Sequence, residues 1–216
     1  MMGYFISLEG IEGCGKTTQL RLLADWLRAA KRAVLTTREP GGCPIADQIR
    51  AILLTPQSQA LVPRAELLLY AAARAQHVDE IVRPALQAGM IVLCDRYTDA
   101  TLAYQGGGRG LERSLIVELN ALASNHLAPQ LTLLLDLPVE IGLGRASSRN
   151  QAAADQEGRF EAESLDFHRR VQTSYRQLAA EEPLRFRVVD AAGSVEQVHQ
   201  RMVSAVSAFL ADRPCP

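Results

Sequence analysis

No stretch of this sequence stays apolar for the roughly 20 residues that a membrane span requires. Its first residues, Met1-Met2-Gly3-Tyr4-Phe5, lack the charged start and apolar stretch expected of a signal peptide. The net charge is only -1 and no long run of like charge occurs, so a nucleic-acid or membrane partner finds no basic surface. The four cysteines, Cys14, Cys43, Cys94 and Cys215, match neither the spacing of a zinc site nor that of a redox pair. His77, His126, His168 and His199 form no ligand set either. These absences suit the reducing cytoplasm, with free thiols. What remains is 216 residues with a hydrophobic fraction of 48%, enough for one α/β domain with a substantial core and short for two.

Apolar runs and helical patterns alternate along the chain. Residues 4–8, 33–37, 90–94, 131–135 and 186–189 read as strands, the last three being continuous apolar runs before Asp95, Asp136 and Asp190. Helical patterns fall at 16–30, 45–54, 64–88, 111–124, 139–148, 161–180 and 195–211. The order implies a doubly wound, five-stranded parallel sheet covered by helices. Ligands of such a sheet sit at the carboxyl ends of the strands, where Gly10, Arg38 and Asp95 all fall. The polar stretch 147–158, SSRNQAAADQEG, reads as a mobile lid.

The run Gly10-Ile11-Glu12-Gly13-Cys14-Gly15-Lys16-Thr17 matches the Walker A consensus at every fixed position, after a strand and before a helix. Its glycines let successive backbone N–H groups turn inward around phosphates, and the positive end of the helix adds to the attraction. Lys16 can reach the β- and γ-phosphates, and the Thr17 hydroxyl suits Mg²⁺. The chemistry is therefore phosphoryl transfer from ATP. Glu12 places a carboxylate among donors meant for phosphate, so it either points into solvent or accepts a hydrogen bond from a hydroxyl of the second substrate. At the end of the third strand, Asp95 could hold water on the metal and Arg96 could grip a phosphate in bidentate fashion. Arg38 at the neighbouring strand end would converge on the same anion.

Five motifs in order then resemble one family. They are the loop 10–17, Arg38-Glu39-Pro40-Gly41-Gly42, Tyr70 with Arg74-Ala75-Gln76, Asp95-Arg96-Tyr97, and Tyr104-Gln105-Gly106-Gly107-Gly108-Arg109-Gly110. With Asp136-Leu137-Pro138 and the arginine-flanked lid, the chain resembles the thymidylate kinases over essentially its whole length. The resemblance implies a single P-loop NTPase-fold nucleoside monophosphate kinase domain over 1–216, with a lid at about 147–160. It implies transfer of the γ-phosphoryl of ATP to dTMP on the way to dTTP, Mg²⁺ as cofactor, and a homodimer. Arg38 and Arg96 would bind the dTMP phosphate, and Tyr70 would stack on thymine. Arg74, Thr101 and Gln105 would address the base edge, Tyr104 would lie against the deoxyribose, and Glu12 would meet the sugar 3′-hydroxyl. The phosphate loop has no arginine of its own, as in the bacterial subtype whose lid donates the catalytic one. Arg149 and Arg159 are candidates for that role, and Arg145 for the ATP side. The chain departs from the family pattern at Cys43, in place of Thr or Ser, and at Gly158, in place of Asp; its lid is longer by ~5 residues.

Two other readings fit parts of the pattern. One is a P-loop kinase for a different small acceptor. The other is a nucleotide-dependent switch, against which stand the absent Asn-Lys-x-Asp run and the idle second-substrate motifs.

Overall fold

The computed structural model describes residues 2–153, 158–211 and 213. Five strands form one parallel sheet: β1 Phe5–Glu9, β2 Val34–Arg38, β3 Ile91–Asp95, β4 Leu131–Asp136 and β5 Phe186–Asp190, in the order β2-β3-β1-β4-β5. The expected sheet is therefore present, each strand within a residue or so of its sequence-derived bounds. The continuous apolar runs β1, β3 and β4 occupy the centre and are buried on both faces, whereas β2 and β5 at the edges are partly exposed.

Helices cover both faces: α1 Lys16–Ala29, α2 Pro44–Leu54, α3 Pro63–His77, α4 Arg83–Gln87, α5 Thr98–Thr101, α6 Arg113–Ser124, α7 Val139–Ala153, α8 Leu165–Glu181 and α9 Val195–Ala211. In α1 the buried residues Leu20, Leu23, Ala24 and Leu27 recur at helical spacing, and the helix packs against α9 and the sheet.

Three segments differ from their sequence reading. The helix expected over 64–88 is α3 and α4 joined by a π-helical turn, Val78–Val82, closed by Arg83 N–H donating to the Val78 carbonyl. Pro84 offers no N–H and crowds the preceding turn, and a widened turn accommodates that. A second π-helical stretch, Leu102–Gly108, carries the Tyr104-Gln105-Gly-Gly-Gly run, which sequence periodicity had left unassigned. Its glycines let α8 pass close: a Cβ on Gly108 would lie 2.5 Å from the Phe167 ring and one on Gly107 2.6 Å from Ser174 Cβ. Lastly, the polar stretch beginning at Ser147 is not irregular from its start, since α7 runs on to Ala153 through residues with no Gly or Pro to stop it. Residues 154–157 of the expected lid and the side chain of Arg149 lie outside the described residues. α8 begins at Leu165, later than expected, because Ser164 caps it by accepting from Phe167 N–H at 3.2 Å.

Among the described residues no helix is long and apolar enough to cross a membrane.

Candidate functional site

A cleft of about 600 Å³ opens at the carboxyl ends of β1, β2 and β3. Parallel register brings its parts together: Asp95 pairs with Leu8 of β1 on one side and with Arg38 of β2 on the other. The loop after β1 turns through Gly10, Gly13 and Gly15 at φ of 138, 67 and 95°, values that L side chains avoid. At Gly13 the need for glycine is steric as well. A Cβ there would meet the Gly142 carbonyl of α7 at 1.9 Å, and one on Gly142 would meet the Glu12 carbonyl at 2.5 Å. The first turns of α7 thus press directly on the loop.

Lys16 is buried, and its ammonium donates to the carbonyls of Gly10 at 3.0 Å and Ile11 at 2.8 Å. The Thr17 hydroxyl donates to Asp95 Oδ2 at 2.9 Å in an exposed position. A hydroxyl and a carboxylate side by side suit Mg²⁺, which takes few protein oxygens and fills its octahedron from water and phosphate. Among the described residues no group of three or more His, Cys, Asp or Glu could hold a metal by itself.

Beside the loop, Arg96 stands at φ 70°, a left-handed conformation costly for arginine. Its guanidinium donates to the Gly10 carbonyl at 2.9 Å, Tyr175 Oη at 3.2 Å, Glu12 Oε1 at 3.1 Å and Tyr104 Oη at 3.0 Å, and lies 4.7 Å from the Tyr104 ring centre. Glu12 does not face solvent. It accepts from Tyr104 Oη at 2.6 Å, and its Oε2 lies 3.3 Å from His168 Nδ1 without hydrogen-bond alignment. Burial pushes its pKa up, but His168, the Arg96 and Lys16 charges and the Tyr104 hydroxyl outweigh this and hold it at about 2. Beneath the floor, Glu9 accepts from Tyr97 N–H at 2.7 Å and from Tyr175 Oη at 2.8 Å. Burial, with the Asp99 charge, pushes its pKa up to about 8 against the pull of Arg96.

The far wall is built by α2, α3 and the Leu102–Gly108 turn. Arg38 is exposed and paired with Asp47 at 3.2 Å, and Tyr70, Thr101 and Gln105 line the wall. Arg74 also lines it but is almost wholly buried: it donates to Glu39 at 2.8 Å, Asn120 at 2.6 Å, Thr101 at 2.9 Å and the Tyr97 carbonyl at 3.2 Å. Behind it His77 bridges Glu39 Oε1, at 2.9 Å, and Thr37 Oγ1, at 2.6 Å.

The sequence-derived residues Glu12, Lys16, Thr17, Arg38, Tyr70, Arg74, Asp95, Arg96, Thr101, Tyr104 and Gln105 all line this one cleft. Of the expected lid arginines, Arg145 and Arg159 do not join them. Arg145 is exposed on α7. Arg159 is buried away from the cleft, donating to the Leu53 carbonyl at 2.6 Å and Glu66 Oε2 at 2.5 Å, although its neighbours Phe160 and Glu161 line the cleft. Sequence reasoning missed Arg50, which lines the cleft and donates to the Pro40 carbonyl at 2.8 Å. It also missed Glu66 and His77. Glu66, Tyr70, Arg74 and His77 recur at spacings of three and four on α3, so extending the stripe through Tyr70 and Arg74 would have found both.

The family model described as thymidylate kinase matches residues 8–202. A thymidylate kinase of Syntrophotalea carbinolica is 61% identical over 202 residues, covering 93% of this chain and 94% of that one. One from Geotalea uraniireducens is 58% identical over 212 residues, covering 98% and 100%. The crystal structure of thymidylate kinase from Ehrlichia chaffeensis superposes with a TM-score of 0.75 at 32% identity, over 95% of this chain and 99% of that one.

Proposed function

The chain belongs to the thymidylate kinase family and transfers the γ-phosphoryl group of ATP to dTMP, giving dTDP and ADP, and from that premise we propose which residues carry the transfer. The observation that supports the assignment best is the cleft itself, with Arg96 and Tyr104 against the phosphate loop and Arg38 and Tyr70 lining the same cleft.

On the donor side the loop N–H groups receive the ATP phosphates. Lys16 exchanges its contacts with the Gly10 and Ile11 carbonyls for phosphate oxygens. Thr17 and Asp95 hold Mg²⁺, which when bound neutralises phosphate charge. On the acceptor side Arg38 and Arg96 hold the dTMP phosphate, and Arg50 is close enough to the same wall to assist. Tyr70 stacks on thymine, while Arg74, Thr101 and Gln105 address its edge. Arg74 arrives there already fastened, so little side-chain entropy is lost on binding. Tyr104 takes the deoxyribose face. Glu12, kept ionised by its neighbours, accepts from the 3′-hydroxyl. The attacking phosphate oxygen is already anionic, so the reaction needs positioning and positive charge rather than a strong base.

Residues 147–160 form the lid in this reading. Arg149 supplies charge to the transferring oxygens and Arg145 serves the ATP side. Arg159 is engaged by Glu66 and is assigned to holding that carboxylate.

Exposed Leu68 on α3 with Leu115 and Leu122 on the adjoining α6 supports a homodimer. The free thiols Cys14, Cys43 and Cys94 support a cytoplasmic setting.

In an assay of dTMP-dependent ADP release, Lys16→Ala is expected to lower kcat by about 100-fold or more. Near-normal turnover of that variant would remove Lys16 from the mechanism.

A further inference from the structure

Glu66 lies on α3 one turn before Tyr70 and is fully buried. A carboxylate in that position needs partners on both oxygens. Its Oε1 receives Gln105 Nε2 at 2.8 Å and Arg109 Nε at 3.3 Å. Its Oε2 receives Arg159 Nη2 at 2.5 Å and Arg109 Nη2 at 3.2 Å. The two arginines are themselves fastened, Arg109 by Glu163 at 2.6 Å and Arg159 by the Leu53 carbonyl at 2.6 Å. Arg109 also lies 4.9 Å from the Phe167 ring centre, and Arg159 lies 4.6 Å from that of Phe160.

This cluster decides which way up Gln105 sits. A carboxamide is planar, with donors on one end and an acceptor on the other. Both oxygens of Glu66 already accept from N–H groups, so only the amide nitrogen of Gln105 can face it. The amide oxygen is turned the other way, and Gln105 lines the cleft.

We propose that Glu66, clamped by Arg109 and Arg159, is a positioning residue that presents the Gln105 amide oxygen to the acceptor base, selecting a pyrimidine that carries a proton on its ring nitrogen. The proposal rests on the assignment of Gln105 to the base edge. Thymine and uracil offer an N3–H donor to that oxygen. Cytosine offers a lone pair, which would set acceptor against acceptor and leave both unpaired. Arg159 thereby acts on base choice from outside the cleft.

The readout is the ratio of kcat/KM for dTMP to that for dCMP. Glu66→Gln keeps the shape but offers a donor as well as an acceptor, so the Gln105 amide can rotate. The ratio is expected to fall about tenfold, the size of one mispaired hydrogen bond. Gln105→Ala should lower it too, and an unchanged ratio there refutes the base-edge assignment itself rather than the role of Glu66. Breaking a buried ion cluster can unfold a protein, so Arg159→Gln, which leaves Glu66 paired with Arg109, is the second variant. Loss of Arg159 leaves Glu66 Oε2 held by Arg109 alone, so the carboxylate can turn and Gln105 loses its fixed placement; the ratio is expected to fall, by less than in Glu66→Gln, in the otherwise wild-type protein and to show no further effect when combined with Gln105→Ala. The proposal is overturned if either folded variant keeps the wild-type ratio, or if the Arg159→Gln and Gln105→Ala effects simply multiply. A collapse of kcat in Arg159→Gln with the ratio intact also overturns it, and assigns Arg159 to the transferring phosphoryl group.

Discussion

Glu9 and Glu12 are three residues apart and both buried, yet one holds its proton to about pH 8 and the other loses it at about 2. The difference lies in what faces them: burial and Asp99 dominate at Glu9, whereas His168, Arg96 and Lys16 outweigh burial at Glu12. The consequences for stability have opposite signs. Between about pH 4.5 and 8 the native chain binds a proton at Glu9 that the unfolded chain has released. The contribution of Glu9 is therefore present in full below the lower limit and lost as pH rises, at up to about 1.4 kcal/mol per pH unit. Glu12 stabilises above pH 4.5, and its contribution is lost as pH falls towards about 2. Glu9→Gln should thus gain on the wild type in Tm as pH rises from acid to mildly alkaline; a difference in Tm that does not vary with pH would refute the buried-proton account. At this scale the sequence revealed Lys16 at the start of α1 and the charged residues at strand ends, Arg38, Asp95 and Arg96, because chain position implies their location. It concealed Glu39 and Glu66. A carboxylate in a helix or turn reads as solvent-facing, and only the distant arginines that neutralise it, Arg74, Arg109 and Arg159, reveal that it is inside.

The contact between the phosphate loop and α7 is where one element shapes another. Because a methyl group on Gly142 would press on the Glu12 carbonyl, Gly142→Ala must displace either the helix or the loop. Overpacking of that kind costs about 1–3 kcal/mol, so KM for ATP should rise by up to about 100-fold if the loop yields. Gly144→Ala, two residues on, meets nothing within 4 Å and should be neutral or slightly stabilising. Equal KM values for the two variants would show that α7 does not set the loop. Strands and long helices were legible because period and length agree over many residues. The π-helical turns were not, since a single widened turn leaves the apolar pattern almost unchanged; Pro84 and the glycine run 106–108 were its only traces. The extension of α7 into a polar stretch was hidden for the opposite reason, being a helical segment with no apolar face to announce it.

For the whole molecule, the exposed leucines on α3 and α6 set an expectation for assembly. Leu115 and Leu122 are seven residues apart and share a face, and Leu122 is 78% exposed. Leu122→Asp should convert the proposed dimer to a monomer in sedimentation velocity; a wild-type chain that already sediments as a monomer excludes this interface. Sheet order has a different consequence, for how the chain is made. β1, made before the other four strands of the sheet, is its middle strand once folded, and its Phe5 N–H bonds to Gln130, 125 residues later. At ordinary synthesis rates that partner follows on the order of ten seconds behind. Within that interval β1 can pair with β3 along one edge, but its other edge has no partner and the loop after it has no α7 to press on, so the phosphate site is complete only after β4 and the first turns of α7 have been made.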